Sequence, residues 1–174
     1  MAYGTLSRLY VEKTRTELDD LASLGILVVG NAFSSVLLVK GQPGEVERAG
    51  GSLLSGADGT ALRAALLKLG YAPEDWCGMA CWLKTGEQLS PEQLRLAVAT
   101  LDPATLVACD RAAAELVRNA FLDGLLGLEL GRVSMVRGMR VLNLGDFEAA
   151  LQSMDTKQVM WARLKQIPPL GAPY

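Results

Sequence analysis

The run Val36-Leu37-Leu38-Val39 contains no polar position. Side chains on a strand alternate between its two faces, so a strand that is apolar throughout needs cover on both. A parallel sheet sandwiched between helices supplies that cover. The rest of the chain provides the parts. Residues 26–29 form a second β-branched run, and the intervening 30–35 segment reads as a turn joining two strands. Apolar runs at 76–83, 105–109, 133–136 and 140–144 read as further strands, the last two meeting at Arg137-Gly138.

Helical spacing of apolar residues occupies 6–24, with Gly25 as C-cap, and 60–69, stopped by Gly70. Ser90-Pro91-Glu92-Gln93 combines an N-cap serine, a proline at the first helical position and a capping-box glutamine, opening a helix to Leu101. Residues 111–122, 147–154 and 156–165 also read as helices, and a Pro-rich tail from Pro168 ends the fold. This alternation predicts one α/β domain over residues 1–174, a three-layer α/β/α sandwich with a mostly parallel central sheet. Neither an internal repeat nor an interdomain linker is visible.

Composition narrows the function. A net charge of −2 excludes a strongly basic DNA-coating protein but permits a local basic patch. Arg132, Arg137 and Arg140, with Lys157, Arg163 and Lys165, make the C-terminal third the most basic part. The chain has no histidine, which removes imidazole bases, Ser-His and Cys-His pairs and His-ligated metals. Cys77, Cys81 and Cys109 read as buried free thiols rather than a metal site. With no run of about 20 apolar residues and no signal-peptide pattern at the start, the expectation is a cytoplasmic protein without membrane, metal or cofactor.

Ligands of such sheets lie at the carboxyl ends of the strands, so the loop after Val39 is the first place to seek a site. Gly41-Gln42-Pro43-Gly44 lacks the lysine and hydroxyl of a P-loop and the glycine spacing of a dinucleotide fingerprint. Its surroundings carry more. Gly30-Asn31, the 36–39 strand, Pro43-Gly44-Glu45-Val46-Glu47, then Gly51, Gly56, Gly59 and Leu62 follow one another in an ordered series. Glu74-Asp75, the 106–115 segment, the 133–154 segment and a helix around Trp161 continue it. The series resembles the uracil-DNA glycosylase superfamily, and within it the iron–sulfur branch.

That resemblance implies a base-flipping scaffold, but the positions that carry the chemistry are changed. The motif-one glutamate falls on Gly41, or on Gln42 one residue later; the stacking phenylalanine falls on Leu54. The uracil-reading asparagine falls near Ala80, and the second-motif histidine on Asp146. An aspartate there places negative charge where negative charge develops. Three cysteines cannot supply four cluster thiolates. The resemblance therefore implies a non-catalytic relative with a crevice at Gly41, Gln42, Pro43, Gly44, Leu54, Ala80 and Asp146, and DNA-backbone contacts from Arg132, Arg137 and Arg140. Two other readings stand beside it: a protein-binding accessory subunit, like the psi subunit of the bacterial clamp loader, and a divergent active glycosylase.

Other residues have simpler explanations. Asp58, just ahead of the helix that starts at Thr60, suits its N-terminus, although Asp58 or Glu47 in the crevice loop could activate water. Asp146 and Glu148 could pair for acid–base work, yet an N-cap at Asp146 with Glu148 in the first turn explains both. Trp76, Trp82 and Trp161 read as packing residues, and Trp161 also as an anchor for a partner.

Overall fold

A computed structural model describes residues 2–122 and 128–168. The elements in chain order are α1 (Ala2–Ser23), β1 (Ile26–Gly30), β2 (Val36–Lys40), α2 (Glu45–Arg48), α3 (Ala57–Lys68), β3 (Cys77–Leu83) and α4 (Pro91–Leu101). They continue with β4 (Thr105–Ala108), α5 (Arg111–Phe121), β5 (Val133–Val136), β6 (Met139–Asn143), α6 (Phe147–Ala150) and α7 (Met154–Leu164). No helix among the described residues is long and apolar enough to cross a membrane.

The six strands form one mixed sheet in the order β1-β3-β2-β4-β6-β5. The four central strands β3, β2, β4 and β6 are mutually parallel, whereas the edge strands β1 and β5 run antiparallel to their neighbours. The 36–39 run behaves as its composition dictates: every residue of β2 is buried, Lys40 included. Alternate side chains enter two separate cores. Leu37, Val39, Met79 and Leu106 pack with Leu21 of α1, Leu94 of α4 and Val117 of α5. Val36, Leu38, Ala80 and Val107 pack with Leu62 of α3, Phe147 of α6 and Leu164 of α7. The protein is thus α/β, with helices against both faces of the sheet.

Of two connections, the first is the turn that the sequence predicts and the second departs from the sequence expectation. The segment joining β1 to β2 is a turn, closed by the Ser34 N–H on the Asn31 carbonyl, but the two strands do not pair. β3 lies between them, antiparallel to β1 and parallel to β2. The glycine-rich 40–59 segment, which reads from the sequence as a loop, is not wholly loop, since Glu45–Arg48 forms one helical turn and α3 begins at Ala57 rather than Thr60. Elsewhere local chemistry sets the boundaries. Ser90 and Gln93 form the capping box of α4, and Asp110 caps α5 through the Ala113 N–H. Arg137 and Gly138 both adopt positive φ (49° and 80°), as a tight β5–β6 hairpin turn requires.

Candidate functional site

β2, β4 and β6 end side by side, and their exit loops frame a cleft of about 540 Å³. The exit loops are tied by a staircase of aspartates. Asp110, two residues past β4, accepts hydrogen bonds from the Gly41 and Gln42 N–H groups past β2, at 2.9 and 3.1 Å. Asp146, three residues past β6, accepts from the Arg111 N–H past β4 at 3.1 Å. The exit loops of β2 and β4 are therefore each pinned by a carboxylate from the next strand over. Asp146 stands at the N-cap position of α6, but its side chain makes no capping bond there. The N-cap explanation of Asp146 gives way to this link between strands. Gly41 has no room for a side chain, because a Cβ would collide with the Asp110 carboxylate and the Ala113 backbone nitrogen.

At the floor, Lys40 extends from the end of β2 into a cage of acids. Its Nζ lies 2.6 Å from Asp58 Oδ2, 2.8 Å from Glu47 Oε1 and 3.4 Å from Glu148 Oε2. The Lys40, Glu47 and Asp58 side chains are almost fully buried, while that of Glu148 is 46% exposed on the cleft wall. Burial pulls the Lys40 pKa down, but the hydrogen bonds and charges of Asp58 and Glu47 outweigh it and hold the ammonium above the ordinary lysine range. Burial likewise pushes the Glu47 carboxyl up, and the Lys40 ammonium and the Leu54 amide overcome it, leaving it below its ordinary value.

Glu47 is the hub of the loop. Its Oε2 accepts from the Gly44 N–H at 3.0 Å, and its Oε1 from the Leu54 N–H at 3.1 Å as well as from Lys40. Leu54 sits at φ 56°, a conformation that costs an L-residue about 1–2 kcal/mol. Both of its backbone polar groups are held by side chains, the N–H by Glu47 and the carbonyl by Arg63 Nη1 at 2.8 Å. Gly59 permits this, since a Cβ there would overlap the Leu54 carbonyl oxygen.

The sequence-predicted crevice residues separate into two groups. Gln42, Pro43, Gly44 and Asp146 line the cleft, and Gly41 lies directly behind the rim on Asp110. Leu54 and Ala80 are buried in the core on the α3 side and do not line the cleft. The basic residues do not gather here. Arg140 pairs with Thr105 at the beginning of β4, and Arg137 is in the hairpin turn before β6. That is a strand length from the cleft, roughly 13 Å. Arg137 lies over the Phe121 ring at 5.6 Å, and Arg132 makes an exposed pair with Glu129 at 3.3 Å. Lys40 and Asp110 were the residues sequence reasoning passed over. The signal for Lys40 was a lone lysine abutting an all-apolar strand, with Glu47 and Asp58 downstream. For Asp110 it was a strand followed closely by an aspartate that opens a helix.

The cleft is acidic. Glu45, Asp58, Asp110, Asp146 and Glu148 line it against Lys40 and Arg48. Cys109 also reaches it, but burial and the nearby Asp110 push its thiol above the ordinary range. Cys77, Cys81 and Cys109 are all buried free thiols. Among the described residues, no group of three or more Cys, Asp or Glu is placed to hold a metal ion. Compared with known proteins, no family model matches this chain, and no curated protein matches it.

Proposed function

We propose that the protein is a non-catalytic binding domain, on a uracil-DNA-glycosylase-like scaffold, whose cleft takes a single neutral or cationic ligand of nucleoside size. The carrying observation is the Lys40–Asp58–Glu47 cluster at the cleft floor. A lysine nucleophile needs a depressed pKa, and these carboxylates act in the opposite direction. The nearby thiol is held protonated by burial, which removes the other nucleophile. The cleft volume falls within the range of small-molecule sites, roughly 300–1,000 Å³, and the excess of carboxylates disfavours polyanions.

Protein-observed NMR with a panel of nucleosides and nucleobases tests the reading. Shifts confined to the 42–48 and 146–149 amides, lost in Asp146→Asn/Glu148→Gln, are the expected result; an unresponsive cleft overturns it. A uracil-bearing oligonucleotide, followed by alkali, tests the non-catalytic part: strand breaks above the protein-free control identify an active glycosylase. Anisotropy of the same strand at low and moderate salt tests the backbone contacts. Salt-sensitive binding abolished by Arg137→Ala/Arg140→Ala would move the nucleic-acid site to the hairpin end.

A further inference from the structure

A second groove lies on the sheet face that α3 and α7 cover, next to the cleft and separate in character. Its volume is about 450 Å³. Ala57, Ala61, Ala64 and Lys68 recur along one face of α3, and Lys157, Trp161 and Leu164 along one face of α7. The α1, α4 and α5 side of the sheet is covered by three full helices, while α6, the third helix on this side, is a single turn of four residues. Among the described residues, that single turn bridges α3 and α7, and the groove opens beside it. Met160 and Leu164 form a buried apolar floor, and the exposed Ala57 and Ala64 leave the α3 rim low.

Charge sets the groove apart. Among the described residues, Lys68 and Lys157 line it and no carboxylate does, in a chain whose net charge is −2. Lys68 and Lys165 both approach the Trp161 ring, at 5.8 and 6.0 Å, so the cationic edge continues beyond the groove wall. We propose that this groove docks an acidic amphipathic helix of a protein partner, its apolar side chains seated on Met160, Trp161 and Leu164 and its carboxylates meeting Lys68 and Lys157. Low alanine rims admit a helix backbone closely, the apolar floor takes residues spaced i, i+3, i+4 and i+7, and flanking lysines choose an acidic partner over a basic one. The groove shares Ala57, Phe147 and Leu151 with the cleft, but the proposal rests on no ligand there.

The test uses the full chain, immobilised, with a random 12-residue peptide library displayed on phage. The expected consensus places three apolar residues at helical spacing beside at least two Asp or Glu. A labelled peptide of that consensus should bind Ala64→Trp, which fills the groove from its exposed rim, and Lys68→Glu/Lys157→Glu at least tenfold more weakly than the parent chain. Circular dichroism melts verify that both variants fold. A consensus without acidic residues, no enrichment, or equal binding to Ala64→Trp overturns the proposal. So does uptake of sodium dodecanoate without any peptide, which marks an acyl site. A concentration-dependent dimer that Ala64→Trp abolishes also overturns it, because the occupant is then a second copy.

Discussion

One oxygen of Glu47 holds both Lys40 and Leu54: Oε1 accepts from Lys40 Nζ at 2.8 Å and from the Leu54 N–H at 3.1 Å. The charge cluster on the cleft floor and the left-handed backbone at Leu54 are thus one device. A change at either end is felt at the other.

Lys40→Met should be strongly destabilising. Removing the ammonium strands the nearly fully buried carboxylates of Glu47 and Asp58, and breaking a buried pair in this way costs about 3–5 kcal/mol. Adding Glu47→Gln and Asp58→Asn to that variant should restore part of the loss, since no buried charge then remains unpaired. Urea denaturation of the single and triple variants measures both. A triple variant less stable than Lys40→Met would show that hydrogen-bond geometry, not charge balance, holds the floor together.

The same cluster sets a pH window. The Glu47 carboxyl is depressed in the folded state, so its contribution is present above its unfolded value of 4.5 and disappears as pH falls through the lower folded value. Lys40 is raised, so its contribution is complete below its unfolded value of 10.5 and disappears as pH rises through the higher folded value. Between those limits the cluster should add no pH dependence. Chemical denaturation from pH 3 to 11 should show Glu47→Gln removing part of the acid-side slope; an unchanged slope would count against the Lys40–Glu47 link.

Gly41→Ala and Gly59→Ala should each cost about 3 kcal/mol, the upper end of overpacking. A Cβ at Gly41 meets the Asp110 carboxylate, and one at Gly59 meets the Leu54 carbonyl. Gly86→Ala is the control: its φ is +91° but nothing lies within 4 Å, so it should cost only about 1–2 kcal/mol. Thermal melts of the three variants rank them, and equal costs would mean that close packing at Gly41 and Gly59 is not the constraint.

The cysteines should be inert in the native protein. Burial pushes the Cys77 thiol up to about 11, and burial with the Asp110 charge pushes Cys81 up to about 12. Dithionitrobenzoate at pH 8 should therefore titrate almost no thiol within minutes, and three per chain once urea is added. Rapid native labelling of any one would show that its covering layer opens readily.

The local elements were largely legible because their signals are local. Ser90 and Gln93 announce α4, the apolar run announces β2, and Arg137-Gly138 sits at the hairpin turn where the strands were expected to meet. Pairing was less legible. A turn after β1 does not state which strand will lie beside it, and β3, about 40 residues further on, occupies the place. Lys40 escaped attention because a lysine at a strand end usually marks exit to solvent. Its burial depends on Asp58, in a helix turn that begins three residues before the sequence expectation, and on Glu47, placed by a four-residue helix that no periodicity reveals. Leu54 and Ala80 were placed at the crevice by alignment to a family motif, whereas their apolar character seats them in the core.

The aspartate staircase makes the cleft a late product of folding. Gly41 and Gln42 wait on Asp110, nearly 70 residues downstream, and Arg111 waits on Asp146, 35 residues beyond it. Contacts closing such long chain segments are entropically costly and tend to form slowly. A nascent chain that stops before β6 can align β2 with β4 but leaves the Arg111 amide without its acceptor. The rim of the cleft is then complete only once the last parallel strand has docked, so its closure reports that β2, β4 and β6 have come together.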